Sequence, residues 1–274
     1  MVSAYKRPRG KAVLVGVQFA AVLLLFLGPI VWMIWASFQP DSAIVSSPPK
    51  LAIPTIANYI TVFVQYPFFR YGLNSAIIAS GATALGLVLG VPAAYAAARF
   101  RILWPAFFTL LARMAPGILF LIPWYIVAAK WGLTDNFVTL IVVHTVITMP
   151  VIMWLMVSFF EELPDELIES AKIDGCTDYQ TLTRVGLPLV LPGIAVSTIL
   201  AFIFTWNYFL FALVLGGYNT TPLTVAAFNF IGESSVSWGA LMAAAVIIST
   251  PPIILTAFVQ RWLIRGLTFG SVKG

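Results

Sequence analysis

Charged residues are scarce in this sequence. They make up 9% of its 274 residues, whereas hydrophobic residues make up 61% and the mean hydropathy is +0.98. A soluble domain carries about 25% charged residues, so this chain has too few to cover a surface that faces water. The composition therefore excludes a soluble globular protein and predicts an integral membrane protein.

Cysteine and histidine are scarcer still, because Cys176 and His144 are the single examples. One cysteine cannot form an intrachain disulfide, and no CxxC or Cys/His metal cluster is present. A single histidine also excludes three-histidine and HExxH metal sites. Since a proton relay needs polar neighbours and none is apparent, His144 is predicted to be a hydrogen-bonded packing residue.

A phosphate-binding loop is missing as well. The segment GATALGLV places Gly81 and Gly86 at the spacing of such a loop, but no Lys-Ser/Thr pair follows. No other segment resembles an ATP site, and no nucleophile–base pair is apparent. The chain is therefore predicted not to be an enzyme, and if it moves a solute with ATP, another chain binds the nucleotide.

Long apolar runs are what the sequence has in abundance. A bilayer core of about 30 Å needs about 20 apolar residues in a helix, and open strands would leave backbone groups unpaired in lipid. Six runs qualify as helices: residues 12–38, 73–98, 102–129, 137–160, 192–215 and 239–262. The first is expected to be retained, because it is too long for a signal peptide and no A-x-A cleavage site follows it.

The cationic residues predict the orientation of these helices. Eleven lie on the side that holds both termini, and three lie on the other. The eleven are Lys6, Arg7, Arg9, Lys11, Arg99, Arg101, Lys172, Arg184, Arg261, Arg265 and Lys273; the three are Lys50, Arg70 and Lys130. By the positive-inside rule the termini and the insert at 161–191 are cytoplasmic, and segments 39–72 and 216–238 face outward.

Small residues recur every four positions in the second apolar run. They are Ala82, Gly86, Gly90, Ala94 and Ala98. Such a stripe lies on one helical face and lets the backbone of another helix approach closely. Close packing of this helix is therefore expected.

The insert at 161–191 differs from the rest of the chain, because seven acids and one lysine lie between Glu161 and Asp178. Its apolar residues Leu163, Leu167, Ile168 and Ala171 recur at three- and four-residue intervals, which predicts an amphipathic helix starting near Pro164. Gly175 can end that helix or bend the chain. A second short helix is expected at 177–186, after which Pro188 and Pro192 turn the chain into the fifth apolar run.

An acidic helix with an exposed apolar stripe fits a groove on a partner that carries basic residues. The alternative is a plain cytoplasmic linker that is solvated by its acids. Linkers between membrane helices are usually short and need no apolar stripe, which favours docking.

The insert resembles the cytoplasmic loop of permease subunits of binding-protein-dependent ABC importers. That loop reads E-A-A, three residues, G, nine residues, I-x-L-P. Here Glu169-Ser170-Ala171 precedes Gly175 at the same spacing, and Val185-Gly186-Leu187-Pro188 follows, with Ser170 and Val185 as mild departures. The segments AAYAAARF, WGLTDNF, FIFTWNYFLFAL and RGLTFGSVKG resemble maltose-type carbohydrate permeases, and the last resembles the second permease of the pair.

The resemblance implies an all-α membrane protein with the fold of a type I ABC importer permease. Residues 1–11 would be a cytoplasmic N-terminus, 12–72 the first membrane helix with its outer loop, 73–264 the core permease domain containing the loop at 161–191, and 265–274 a cytoplasmic tail. The implied partners are a sister permease, an extracytoplasmic solute-binding protein and two ATPase subunits that hold ATP and Mg. The location would be the plasma membrane of a bacterium or archaeon.

The resemblance also implies residue roles in ATPase coupling. The loop would form a coupling helix in a cleft of the ATPase, with Glu169 pairing with a basic residue, Gly175 providing the turn and Pro188 fixing the return to the membrane. The full implied coupling set is Glu169, Ser170, Ala171, Asp174, Gly175, Leu187 and Pro188.

Two further segments have implied contacts. The C-terminal tail, through Gly266, Lys273 and Gly274, would reach the ATPase dimer interface, although a frayed end is the alternative. The outer segment 216–238 would enter the binding protein and help to eject solute, or else be an ordinary loop.

A few polar residues lie inside the apolar runs and are candidates for the solute pathway. In Trp206-Asn207-Tyr208 the rings can stack on a sugar and the amide can bond its hydroxyls, although Asn also links helices and aromatics also fill space. Arg113 is the only cation well inside a run, and no acid lies inside any run. Its side chain would extend toward the cytoplasmic surface, pair with another subunit or bind an anionic solute.

The leading hypothesis is a pore subunit of an ATP-driven importer for a sugar or sugar derivative. The first alternative is an ABC permease for another solute, such as a glycerophosphodiester or a polyamine. The second is a secondary transporter, which would be expected to show repeats and intramembrane acids that this sequence lacks.

Overall fold

The computed structural model describes residues 9–48, 50–232 and 236–269, and the side chains of 13–48, 50–232 and 236–258. The described part contains helices and no strand, apart from an isolated bridge between Ile231 and Val236. The α-helices are α1 (Arg9–Ser37), α2 (Asp41–Ile44), α3 (Ala57–Gln65), α4 (Phe68–Arg99), α5 (Trp104–Arg113), α6 (Ile118–Lys130), α7 (Phe137–Glu161), α8 (Asp165–Ile173), α9 (Asp178–Thr181), α10 (Leu187–Leu189), α11 (Leu191–Asn207), α12 (Leu210–Leu215), α13 (Leu223–Ala226) and α14 (Trp238–Phe269). A π-helical turn, Leu182–Gly186, joins α9 to α10, and a 3₁₀ turn, Ala227–Phe230, follows α13.

Four helices are long and apolar enough to cross a membrane, in the described part of the chain. They are Val13–Ser37 of α1, all of α4, all of α7 and Trp238–Phe258 of α14. Two sharply bent helix pairs, α5 with α6 and Asp178–Leu189 with α11, raise the number to six if each pair crosses once. Four of the predicted runs therefore correspond to unbroken helices and the run 102–129 to the pair α5 and α6, whereas the second pair bends at Val190, before the run 192–215 begins.

The expectation of one continuous helix over 102–129 is wrong. Helix α5 ends at Arg113, α6 begins at Ile118, and their axes differ by 92°. Pro116 lies in the break, and proline cannot donate the backbone hydrogen bond that would continue a helix. The third apolar run is therefore two helices that meet at an angle.

The expectation of one continuous helix over 192–215 is also wrong. Helix α11 ends at Asn207, Tyr208 has an extended backbone (φ −79°, ψ 114°), and α12 starts at Leu210. No proline or glycine lies at this break, so local sequence does not explain it. Instead Tyr208 packs edge-on to His144 of α7, at 5.7 Å between ring centroids, and stacks locally on Phe211 at 5.5 Å.

The chain divides into two compact units, and the larger consists of Pro67–Phe228 with the chain from Ser249 onward. Its centre is the packing of α4 along α7. A Cβ built on Gly86 would lie 2.8 Å from Cδ1 of Ile152, and one built on Gly90 would lie 3.1 Å from Cγ2 of the same residue. The glycines let the two helices approach closely, which confirms the packing predicted from the small-residue stripe.

The smaller unit consists of the chain up to Tyr66 together with Asn229–Ile248. The turn after α1 is fixed by Asn58, whose side-chain amide donates to the carbonyl oxygens of Ser37 and Gln39, each at 2.8 Å. Asp41 accepts a hydrogen bond from the backbone N–H of Gly239 at 2.7 Å, which ties the start of α14 to this turn.

Candidate functional site

The insert at 161–191, predicted to be cytoplasmic and called the coupling loop below, contains α8, α9, the π-helical turn and α10. Helix α8 follows Pro164, whose extended backbone precedes the first helical residue. Asp165 and Glu166 lie in the first turn of α8 and Lys172 in its last turn. This charge order suits the helix dipole, which favours anions near the N-terminus and cations near the C-terminus.

The turn after α8 has a defined glycine end. Gly175 has φ +83°, its N–H donates to the carbonyl of Lys172 at 3.0 Å, and the N–H of Cys176 donates to the carbonyl of Ala171 at 3.0 Å. These two bonds form the Schellman motif, in which a left-handed residue closes the helix. A side chain at this position would be strained, because only glycine adopts positive φ without steric cost.

Two further contacts fix the angle between α8 and α9. Lys172 and Asp178 form an ion pair across the turn, with Nζ 2.9 Å from Oδ1. Thr177 and Gln180 form a capping box at the start of α9: the Thr177 hydroxyl accepts from the Gln180 N–H, and the Gln180 side chain accepts from the Thr177 N–H. The coupling loop is therefore a locally braced turn rather than a loose linker.

The expectation that the whole apolar stripe is exposed for docking is wrong. Ile168 and Ala171 are buried, and Leu163 packs against the same core as Tyr95 and Phe160. Helix α8 packs against α9 and the π-helical turn that follows it, so this half of the stripe is covered by the permease itself. Of the stripe, Leu167 remains exposed.

Two exposed apolar side chains of the coupling loop were not singled out by sequence reasoning. Ile173 is 86% exposed and Tyr179 is 74% exposed. Both lie beside the glycine turn, one at the end of α8 and one in α9. Their position on either side of Gly175 could have identified them, because a docked partner would contact the tip of that turn.

The predicted coupling residues have different environments. Glu169, Ser170 and Asp174 are exposed, and within the described residues Glu169 makes no ion pair. The Ser170 hydroxyl donates to the carbonyl of Glu166 at 2.7 Å, as serine often does within a helix. Pro188 is exposed, whereas Leu187 is half-buried against the core.

The C-terminal candidates lie at or beyond the limit of the structure. Gly266 falls in the backbone of α14, but its surroundings are not described. Lys273 and Gly274 lie outside the described residues.

A second anchor of the coupling loop lies at the C-terminal end of α4. Asp165 pairs with Arg99 at 3.5 Å and with Arg101 at 3.7 Å. The three residues border a cavity of about 400 Å³ whose wall also includes Tyr95 and Ile168. Because Asp165 is largely exposed, these pairs orient the start of α8 and contribute little to stability.

A membrane cavity of about 310 Å³ lies at the bend between α5 and α6. Of the four predicted pathway residues, Arg113 and Tyr208 line it together, along with Thr109, Phe120, Trp124, Val143, Ile147 and Phe211. The guanidinium of Arg113 lies over the ring of Phe204, 4.8 Å from its centroid. The sequence did not single out Phe120 or Trp124, because aromatic residues recur in all the apolar runs.

The other two predicted pathway residues lie elsewhere. Trp206 is buried in the core near Ser75 and Ala212. Asn207 is exposed, and its side-chain amide donates to the carbonyl of Ile203 at 2.9 Å. His144 is buried with Nδ1 2.6 Å from the carbonyl oxygen of Leu140, as expected of a hydrogen-bonded packing residue.

The loop after α12, predicted to face outward and called the outer loop below, is fixed by a carboxylate that sequence reasoning did not single out. Asp135, in the turn between α6 and α7, accepts from the backbone and side-chain N–H groups of Asn219 and from the backbone N–H and hydroxyl of Thr220, at 2.8–3.1 Å. We call Asp135, Asn219 and Thr220 the outer latch. Burial of the carboxyl opposes its ionisation, but these hydrogen bonds outweigh that effect, so the pKa of Asp135 lies below its ordinary value.

The start of α4 supports the same loop. The buried side-chain amide of Asn74 donates to the carbonyls of Asn219 and Thr221 at 3.0 and 2.9 Å. The guanidinium of Arg70 donates to the Asn219 side-chain oxygen at 3.1 Å and lies over the ring of Tyr218. This leaves Tyr218 exposed on an otherwise fixed loop.

Comparison with known families shows to which family the chain belongs. Residues 82–269, more than half of the chain, match the family described as "Binding-protein-dependent transport system inner membrane component". The chain belongs to this family. It is therefore a multi-pass membrane permease subunit and not an enzyme, which confirms the predictions of fold class and of a non-enzymatic role.

Individual relatives match the permease over nearly its full length. The trehalose/maltose transport system permease protein MalG of Thermococcus litoralis is 33% identical, covering 95% of this chain and 96% of its own. The sulfoquinovosyl glycerol transport system permease protein SmoH of Agrobacterium fabrum is 34% identical, covering 93% and 92%. A chain of a bacterial ABC transporter that imports the acidic polysaccharide alginate has the same fold, with a TM-score of 0.77 at 23% identity over 95% of this permease and 99% of that chain.

Proposed function

We propose that this permease is a pore-forming subunit of an ATP-driven importer for a sugar or sugar derivative. The observation that carries the proposal is the similarity to sugar permeases over more than nine-tenths of the chain. The aromatic cavity that Arg113 and Tyr208 share supports it, because aromatic rings stack on the C–H faces of sugars while hydroxyl and guanidinium groups bind polar substituents.

The proposed partners are a sister permease, an extracytoplasmic solute-binding protein and two ATPase subunits that bind ATP and Mg. Both termini and the coupling loop would lie in the cytoplasm, where the ATPases dock. A solved importer of the same fold is described in complex with a periplasmic binding protein, which supports that partner class. The outer loop, with its exposed Tyr218, is the part of the described chain that would meet the binding protein.

The coupling loop would transmit ATPase motion to the membrane helices. One face of α8, with Ile168 and Ala171, is buried, whereas Glu169, Ile173 and Tyr179 are exposed and available to a partner. Movement of the loop would therefore reach α4 and α7, against which it packs. Exposed apolar side chains beside an unpaired carboxylate suit an ATPase cleft that offers both apolar surface and a basic residue.

The decisive experiment uses the reconstituted importer and the Glu169→Ala variant. Truncating one member of a buried charge pair costs about 2–5 kcal/mol, so the variant should dock the ATPase poorly and lose solute-stimulated ATP hydrolysis. Glu162→Ala is the matched control, because Glu162 is also an exposed acid but lies outside α8. Normal uptake and ATPase stimulation by Glu169→Ala would contradict the proposed role.

Cys176 gives an independent readout without changing the coupling turn. It is the only cysteine of the chain, is partly exposed and follows Gly175 directly. Docking of a cysteine-free ATPase should slow its labelling by a maleimide. In the same complex, deleting Thr268–Gly274 should lower ATPase activity if the C-terminal tail contacts the ATPase interface.

The principal alternative is a permease for another solute, such as a glycerophosphodiester or a polyamine. Arg113 disfavours a cationic polyamine, because like charges would meet in the cavity. Identifying the ligand of the cognate binding protein decides between these solutes and a sugar.

A further inference from the structure

We propose that Arg113 binds the anionic group of the solute, so that the permease carries an acidic sugar with a carboxylate or sulfonate rather than a neutral one. This inference rests on the proposed function and names its substrate class. It depends on where Arg113 lies, on what surrounds it and on which charges the chain supplies nearby.

Arg113 lies inside an apolar segment of the chain. It is the last residue of α5, beside the bend to α6, and it borders the cavity there. A permanently charged guanidinium within a candidate membrane span is rare and often marks a solute pathway.

Within the part of the chain that the structure describes, no carboxylate pairs with Arg113. The described acids all lie at the ends of the candidate membrane spans or outside them: Asp41, Asp135, Glu161, Glu162, Asp165, Glu166, Glu169, Asp174 and Asp178. The tenth acid, Glu233, lies outside the described residues and, by sequence, in the outer segment. The counter-charge must therefore come from outside this chain.

Phe204 orients the guanidinium without neutralising it. The Arg113 group lies over the Phe204 ring at 4.8 Å, a cation–π contact that covers one face. The N–H groups along the guanidinium edge remain for other partners, since they point in the plane of the group. A planar fork of this kind matches the oxygens of a carboxylate or sulfonate with two parallel hydrogen bonds.

The rest of the cavity has the size and chemistry for a sugar unit beside that fork. Its volume of about 310 Å³ is at the lower end of the roughly 300–1,000 Å³ found for small-molecule sites. Phe120 and Trp124 provide aromatic surface, and Tyr208 provides a hydroxyl. A Cβ built on Gly117 would overlap the Tyr208 hydroxyl, so the glycine leaves room for the phenol at the bend.

The test is transport by the complete importer in proteoliposomes, with this permease, its sister, the ATPases and the binding protein. The solutes are a uronic acid disaccharide, a sulfonated sugar and neutral maltose and trehalose. We expect the acidic sugars to stimulate ATP hydrolysis and to be imported. Arg113→Gln should lower their uptake by about tenfold or more, and Arg113→Lys should lower it less because it keeps the charge.

Two controls keep the outcome interpretable. Lys130→Gln removes a cation from the exposed outer end of α6 and should leave uptake of acidic sugars unchanged. Co-purification of the sister permease with Arg113→Gln shows whether the variant still assembles, and Arg113→Lys repeats the test if it does not.

The possible results separate this inference from the proposed function. If neutral sugars are imported and both Arg113 variants behave as wild type, the inference is overturned and the sugar importer stands. If Arg113→Gln loses the sister permease while Arg113→Lys transports neutral sugars normally, Arg113 pairs with a carboxylate of the sister and the inference is again overturned. If neither neutral nor acidic sugars stimulate the complex, the proposed function itself fails.

Discussion

Asp135 holds Asn219, a residue 84 positions away in the chain, through its backbone N–H and through its side-chain amide, the latter at 2.8 Å. The pair joins the turn between α6 and α7 to the loop that follows α12. Thr220 adds a backbone and a hydroxyl hydrogen bond to the same carboxylate. One carboxylate therefore ties the turn between α6 and α7 to the loop after α12.

Replacing Asp135 should loosen the outer loop without unfolding the permease. Asp135→Asn keeps the size of the side chain but replaces one of the two acceptor oxygens by an NH2 donor. That donor would face the N–H groups that the carboxylate now accepts from. We expect a local loss of about 1 kcal/mol and hydrogen exchange about fivefold faster at the amides of Asn219 and Thr220. Exchange in α7 should stay unchanged, and unchanged exchange in the loop would refute the role of the latch.

The outer latch should also depend on pH in a defined direction. The folded-state pKa of Asp135 is lowered, so the stability that its ionised form contributes is fully present above the unfolded pKa of about 3.9. This stability is lost as the pH falls below the unfolded pKa and then through the lower pKa of the folded state. Limited proteolysis of the 216–221 loop between pH 7 and pH 3 should show this late loosening. Asp135→Asn should lack the dependence, and opening of the wild-type loop near pH 6 would contradict it.

Gly175→Ala should disturb the coupling turn specifically. At φ +83° an alanine is strained by about 1 kcal/mol, although no neighbouring atom would meet its Cβ. We expect altered maleimide labelling of Cys176 and weaker ATPase stimulation. Gly28→Ala, inside α1 with open space around it, is the control and should change neither quantity. Wild-type labelling and coupling of Gly175→Ala would show that the turn tolerates rearrangement.

Stability of the coupling loop should depend on its buried apolar contacts more than on its ion pairs. Leu182 is buried in the core shared with α4 and α7, so Leu182→Ala should cost about 2–5 kcal/mol. Asp165→Asn removes pairs of 3.5 and 3.7 Å at a side chain that is 64% exposed, so it should cost less than about 1 kcal/mol. Denaturation of the purified complex in detergent compares the two, and an equal loss would contradict this ranking.

Sequence reasoning succeeded where the signal is local. Apolar runs of about 20 residues predict membrane helices because lipid allows few other structures. The pattern around Glu169 and Gly175 predicts a short helix that ends at a glycine, and the structure has α8 with its left-handed Gly175. Pro116 is a local signal of the same kind, but the prediction of one helix over 102–129 did not use it.

The sequence by itself determined that the chain lies in a membrane, roughly where it crosses and where a polar loop interrupts the crossings, because composition and periodicity act over a few helical turns. Only the tertiary structure decided which half of the α8 stripe is buried, why the chain breaks at Tyr208 and which distant residues meet. Arg113 and Tyr208 share a cavity, and Asp135 and Asn219 share hydrogen bonds, because α4, α7 and α11 pack together. Such contacts depend on how whole helices fit against each other, and no local window of the sequence contains that information.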